Sequence, residues 1–176
     1  MTDASGQPVA NAVVMVDVPG TPKPSASGKF VMSQENLTFD PFILIVPAGA
    51  EVSFPNLDRV RHHVYSFSRG NRFELRLYGR EEQRSATFNT PGIVAIGCNI
   101  HDEMVAYIRV VETPYAALTN TAGEAVIDLP AAAGRATIWH PEATGQETRV
   151  DVPAANRSGP VTATLRMRTR RHGHGH

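Results

Sequence analysis

Short runs rich in Val, Ile and Phe follow one another along almost the whole chain, each cut off by Gly, Pro or Asn/Asp, and this punctuation constrains the fold more than any other feature. The runs are VANAVVMVDV, PFILIV, EVSF, HHVYSF, GIVAIGC, VAYIRVV, EAVIDL, RATIWH and TRVDV. Thirteen prolines and fourteen glycines leave little room for long helices, and no amphipathic helical period is present. The most helix-tolerant stretch, FELRLYGREEQR, alternates Phe73, Leu75 and Leu77, which predicts a strand. The expected class is all-β, as a sandwich or barrel.

The 176 residues suffice for one large β domain or two small ones. Seventeen basic and seventeen acidic residues cancel, so no global charge argues for nucleic acid or a membrane surface as partner. The longest apolar run, FILIVPAGA, is broken by Pro47 and is too short to span a bilayer. Met1 leads into TDASGQ with neither a charged nor an apolar leader segment, so a signal peptide is expected to be absent from this chain.

The only cysteine lies in GCNIHDEM, where Cys98, His101 and Met104 form C-x-x-H-x-x-M. A soft thiolate, an imidazole and a weak thioether on one loop are three of the donor types of a mononuclear electron-transfer copper site, which also needs a second imidazole. RHHVYSFS, with His62 and His63, is the internal segment that offers one in a strand context. Glu103 is a competing donor to Met104. A lone cysteine forms no internal disulfide, and iron–sulfur or dinuclear copper centres need more than one. A structural zinc site prefers four firm Cys/His ligands, and a thiol hydrolase needs an orienting group and oxyanion loop that the sequence does not display. Arg59 and Arg61 beside the histidines and Asp102 and Glu103 in the loop would give the rim both signs of charge, acting chiefly on association rate.

Phe39 to Pro41 as F-x-P, then VPAGAEVSFPN, HHV, TPG and C-x-x-H-x-x-M followed by AYIRVV together resemble the cupredoxins, with a short ligand loop of the amicyanin and pseudoazurin type. PNLDRVRHHVYSFS with GCNIHDEM is similar to periplasmic cupredoxin-like proteins labelled methylamine utilisation proteins. The resemblance implies a Greek-key β-sandwich or barrel holding one mononuclear Cu(I)/Cu(II) through His62, Cys98, His101 and Met104. It implies supporting roles for His63, which stands where the family has Asn, and for Asn56. Strand alternation does not choose between the histidines, because Tyr65 and Phe67 share the face of His63; a bulge would reconcile His62 as ligand. The resemblance further implies that His101 is the port for electrons, that the protein is not an enzyme, and that it works in the periplasm. The implied partner is a c-type cytochrome or a periplasmic dehydrogenase or oxidase. The alternative is a copper-binding trafficking or sensing module with no relay role.

TDASGQPVANAVVMV and TNTAGEAVIDLPAAAGRATIWHPE resemble two halves of a carboxypeptidase regulatory-like or transthyretin-like β-sandwich. The expected organisation is therefore residues 1–28 as the first part of this module with a Pro/Ser linker, and residues 29–112 as an inserted cupredoxin domain. Residues 113–167 would then complete the module, and residues 168–176 would form a disordered Arg/His tail. Trp139 is expected in the core and His140 at the surface.

Overall fold

The computed structural model describes residues 1–145, 147–154 and 159–168. Every regular element among them is a strand, as the punctuated pattern requires. The chain divides into two compact units, one of Met1–Thr21 with Tyr115–His176 and the other of Pro22–Pro114. The first crossing of the chain thus falls at the start of the PKPSASG segment, and the second at Pro114. The proposed tail, beyond Arg168, lies outside the described residues.

The unit of residues 22–114 contains two sheets and a hairpin. The larger sheet runs in the order Ile43–Pro47, Val105–Val111, Gly92–Cys98, His62–Ser66, Phe73–Tyr78. The smaller runs Ser85–Phe88, Ala50–Ser53, Phe30–Val31, and Ser33–Glu35 pairs with Thr38–Asp40 as a hairpin. Strand alternation accounts for the core. Val94, Ile96 and Cys98 are buried on one strand and His62, Val64 and Ser66 on its neighbour, because successive side chains on a strand point to opposite faces. Val64, Val94, Ile96 and Cys98 join Val46, Val52, Phe54, Phe88, Ile108 and Met104 in one cluster. Phe54, Phe73 and Phe88 pack ring against ring with centroids 5.6 to 6.4 Å apart. Such pairs stabilise beyond their buried area by about 0.5–1.5 kcal/mol each. Phe73–Tyr78 is a strand, as its alternation predicts.

The other unit has a four-stranded antiparallel sheet in the order Ala116–Leu118, Val13–Asp17, Gly134–Trp139, Thr148–Val152. Thr2–Asp3 pairs in parallel with Thr164–Leu165 beside it. Two expectations fail here. EAVIDL is not a strand, and Val126 is 90% exposed; the run follows a turn closed on Asn120 and joins no sheet among the described residues. His140 is buried rather than exposed. It directly follows Trp139 at the end of an inner strand, so the chain is still inside the unit when it reaches the imidazole.

Candidate metal centre

Gly92–Cys98 ends at its cysteine, and that residue's inward position follows from the alternation that buries Val94 and Ile96. Past Cys98 the chain must turn back to enter Val105–Val111, and it does so in a tight loop. The Met104 amide donates to the His101 carbonyl at 2.9 Å, closing a turn that leaves Asp102 and Glu103 exposed. Met104 returns to the interior with 1% exposure, whereas His101 stays partly open to solvent.

His62 reaches this loop from the adjacent strand. The register pairs Gly97 with Tyr65 and Cys98 with Val64, which places His62 just past the cysteine on the same inner face. Cys98 Sγ lies 3.7 Å from His62 Nδ1 and 3.7 Å from His101 Nδ1. The imidazole rings are 5.1 Å apart between centroids, and one donor atom from each of the three residues falls within 4.8 Å of the others. Two nitrogens and a sulfur converge on a common centre in a nearly dry pocket, since His62 is fully buried and Cys98 is 2% exposed. The donor set fits a copper ion, because imidazole nitrogen and thiolate sulfur suit the softer first-row metals and an oxygen-loving cation would find no carboxylate among the three.

His63 is turned away from the trio. Its Nε2 lies 2.9 Å from Glu74 Oε1, and the side chain lines an open cavity of about 390 Å³ with Tyr65, Phe67 and Arg72. The apolar residues on its face, Tyr65 and Phe67, are outward-facing, and Phe67 is 71% exposed. No bulge separates the two histidines: burial alternates without a break over His62–Ser66, and His62 faces inward because Tyr65 and Phe67 face outward. The extra residue at the register shift against this strand lies in Phe73–Tyr78. His63 touches the loop through its backbone instead, accepting a hydrogen bond from the Asn99 amide at 3.0 Å. Asn56 is buried and ties the approach to His62 together: Nδ2 donates to the carbonyls of Val60 and Tyr78, and Oδ1 accepts from the Asp58 amide.

Asp58, to which the sequence reading assigned no role, contacts the trio directly. Its Oδ2 lies 2.8 Å from His62 Nε2, the ring nitrogen opposite the one that faces Cys98. Burial pushes the Asp58 carboxyl up, but the hydrogen bond from His62 and those from the Leu37 and Asn36 amides outweigh it and hold the group below the usual carboxylate range. The signal was present as an aspartate four residues before His62, yet aspartate in a Pro/Asn-rich turn has a commoner local use as a turn former. Tyr78, also buried, donates its hydroxyl to the Phe54 carbonyl at 2.7 Å and accepts from Gln34 Nε2 at 2.7 Å. Burial pushes its phenol up to about 12, with the neighbouring Cys98 adding to the rise. Gln34 Oε1 is buried with no hydrogen-bond partner among the described residues.

No family model and no curated protein matches the chain. Among solved structures the neighbours are amicyanin and other cupredoxins. A reduced Cu(I) form of an amicyanin variant is 20% identical with a TM-score of 0.43, covering 55% of this chain and 98% of its own. A purple cupredoxin from Nitrosopumilus maritimus is 18% identical with a TM-score of 0.43, covering 47% of this chain and all of its own. A copper-containing nitrite reductase from Thermus scotoductus is 26% identical with a TM-score of 0.46; the match covers 64% of this chain and 27% of that enzyme. All three TM-scores lie below 0.5, so the reading of the centre rests on its own residues. No helix among the described residues is long and apolar enough to cross a membrane.

Proposed function

We propose that residues 22–114 form a cupredoxin-type domain that holds one copper ion, and that the protein carries single electrons between redox partners in the periplasm. The observation that carries this reading is the convergence of His62 Nδ1, Cys98 Sγ and His101 Nδ1 in a nearly dry pocket. Bound copper would supply a Cu(I)/Cu(II) couple. His62 and Cys98, held on two paired strands, would fix two donors rigidly, and His101 would close the trio from the loop. Met104, buried three residues beyond, is the candidate for a weak fourth contact, and exposed Glu103 is the poorer one. A set of three firm donors and one weak one leaves no position for substrate or water, which favours a carrier over an enzyme. His101, the partly exposed member, is the natural edge for electrons to enter and leave. The flanking unit is read as a carboxypeptidase regulatory-like module supplying no ligand.

Cu(II) titration of the full chain tests the reading. One equivalent should bind with an intense visible thiolate band, and the loaded protein should accept an electron from a c-type cytochrome without losing its metal. A colourless stoichiometric Cu(II) complex would sink the copper-thiolate assignment. Rapid transfer of copper to a competing apo-protein would instead favour the trafficking alternative.

A further inference from the structure

We propose that Asp58 is a positioning residue of the metal centre, and that the hairpin turn at Asn36 and Leu37 exists in its strained form to hold Asp58 in place; the part concerning copper rests on the reading above. The turn joins Ser33–Glu35 to Thr38–Asp40, and both of its central residues are left-handed, Asn36 at φ 54° and Leu37 at φ 58°. Such two-residue turns favour Asn followed by Gly, and a branched side chain at positive φ is uncommon. The geometry has a use here. The Asn36 amide donates to Asp58 Oδ1 at 2.7 Å and the Leu37 amide to Oδ2 at 3.1 Å, so successive N–H groups converge on one carboxylate as in an anion-binding nest. The Asp58 amide is itself fixed by Asn56 Oδ1 at 2.9 Å.

The remaining lone pair on Asp58 Oδ2 faces His62 Nε2 at 2.8 Å, with the Asp58 side chain 13% exposed and that of His62 fully buried. An ionised carboxylate only accepts hydrogen bonds, so Nε2 carries the ring proton and Nδ1 presents its lone pair toward Cys98. A carboxylate behind a ligating imidazole fixes the tautomer and raises the basicity of the ligating nitrogen. The more basic nitrogen favours the more highly charged metal state. Asp58 therefore stabilises Cu(II) over Cu(I) and keeps the reduction potential below that of the same centre with a neutral acceptor.

Two measurements test this. In the metal-free protein, ¹⁵N NMR of the His62 ring should show the proton on Nε2; a proton on Nδ1 would overturn the proposal whatever metal binds. In the copper-loaded protein, Asp58→Asn should keep the thiolate band while Cu(II) affinity falls about 10- to 100-fold. With Cu(I) affinity little changed, that loss raises the potential by about 60–120 mV, at 59 mV per tenfold for a one-electron couple. Unchanged Cu(II) affinity and potential in folded Asp58→Asn would overturn the tuning role. If that variant does not fold, the ring tautomer of the wild-type protein still decides. A wild-type protein with no thiolate band would overturn the copper reading alone, and the tautomer would separately support or overturn the role of Asp58.

Discussion

Cys98 Sγ stands 3.7 Å from His62 Nδ1, although the two residues are 36 positions apart in the chain. Two adjacent antiparallel strands create this contact, and Val64 opposite Cys98 sets its register. The thiol is consequently buried with an imidazole nitrogen facing it from both the strand and the loop.

Replacing Cys98 with Ser is expected to remove the visible band and leave the fold intact, since a hydroxyl is close in volume to a thiol but is a poor copper ligand. Circular dichroism should match the wild-type spectrum while absorbance after Cu(II) addition stays flat. Retention of the band in this variant would show that another sulfur binds the metal.

The two adjacent histidines should differ sharply. His62→Ala is expected to abolish the thiolate band, whereas His63→Asn should retain it and change stability by no more than about 1 kcal/mol, the scale of one partly exposed side-chain hydrogen bond such as that with Glu74. Parallel Cu(II) titrations and thermal melts of the two variants check both statements. Loss of the band in His63→Asn alone would reverse the assignment.

Phe54 is fully buried against Phe73 and Phe88. Phe54→Ala should cost about 3–5 kcal/mol. Urea unfolding of the metal-free protein measures the loss, and a change below about 1 kcal/mol would mean that the ring's space is filled by collapse.

His140 predicts an acid-sensitive unit. Burial holds its imidazole below the ordinary value of 6.5, outweighing the opposing pull of Glu142 and the hydrogen bond to the Ala10 backbone. Its Nδ1 accepts the Glu142 amide at 3.1 Å, which requires a neutral ring. Below about pH 6.5 the unfolded chain takes up a proton that the folded state refuses until lower pH. The stability present above that pH is therefore lost as pH falls toward the depressed folded value. Fluorescence of the neighbouring Trp139, the only tryptophan, should show a lower melting temperature at pH 5.5 than at 7.5. His140→Gln should flatten that slope.

Much of this was legible in the residues because it is local. Gly and Pro punctuation with short Val/Ile runs leads to an all-β chain whatever the strands pair with, and the described residues contain no helix. Spacing alone makes Cys98, His101 and Met104 neighbours, since one short loop carries all three. The limits were equally physical. EAVIDL has strand composition but joins no sheet among the described residues, and a strand exists only where a ladder can form. His140 reads as a surface residue because nothing in its own segment reveals that the end of the strand Gly134–Trp139 is covered.

The choice between His62 and His63 shows the boundary most clearly. A period of two puts them on opposite faces, but which face meets Cys98 depends on the register against Gly92–Cys98, where Val64 stands opposite the cysteine. Asp58 is the stronger case. Its three hydrogen-bond donors are His62, four residues on, and two amides from a hairpin more than twenty residues upstream. Sequence determined which donor atoms the chain carries; only tertiary packing could decide which of them converge, because that depends on distances between segments that no local pattern encodes.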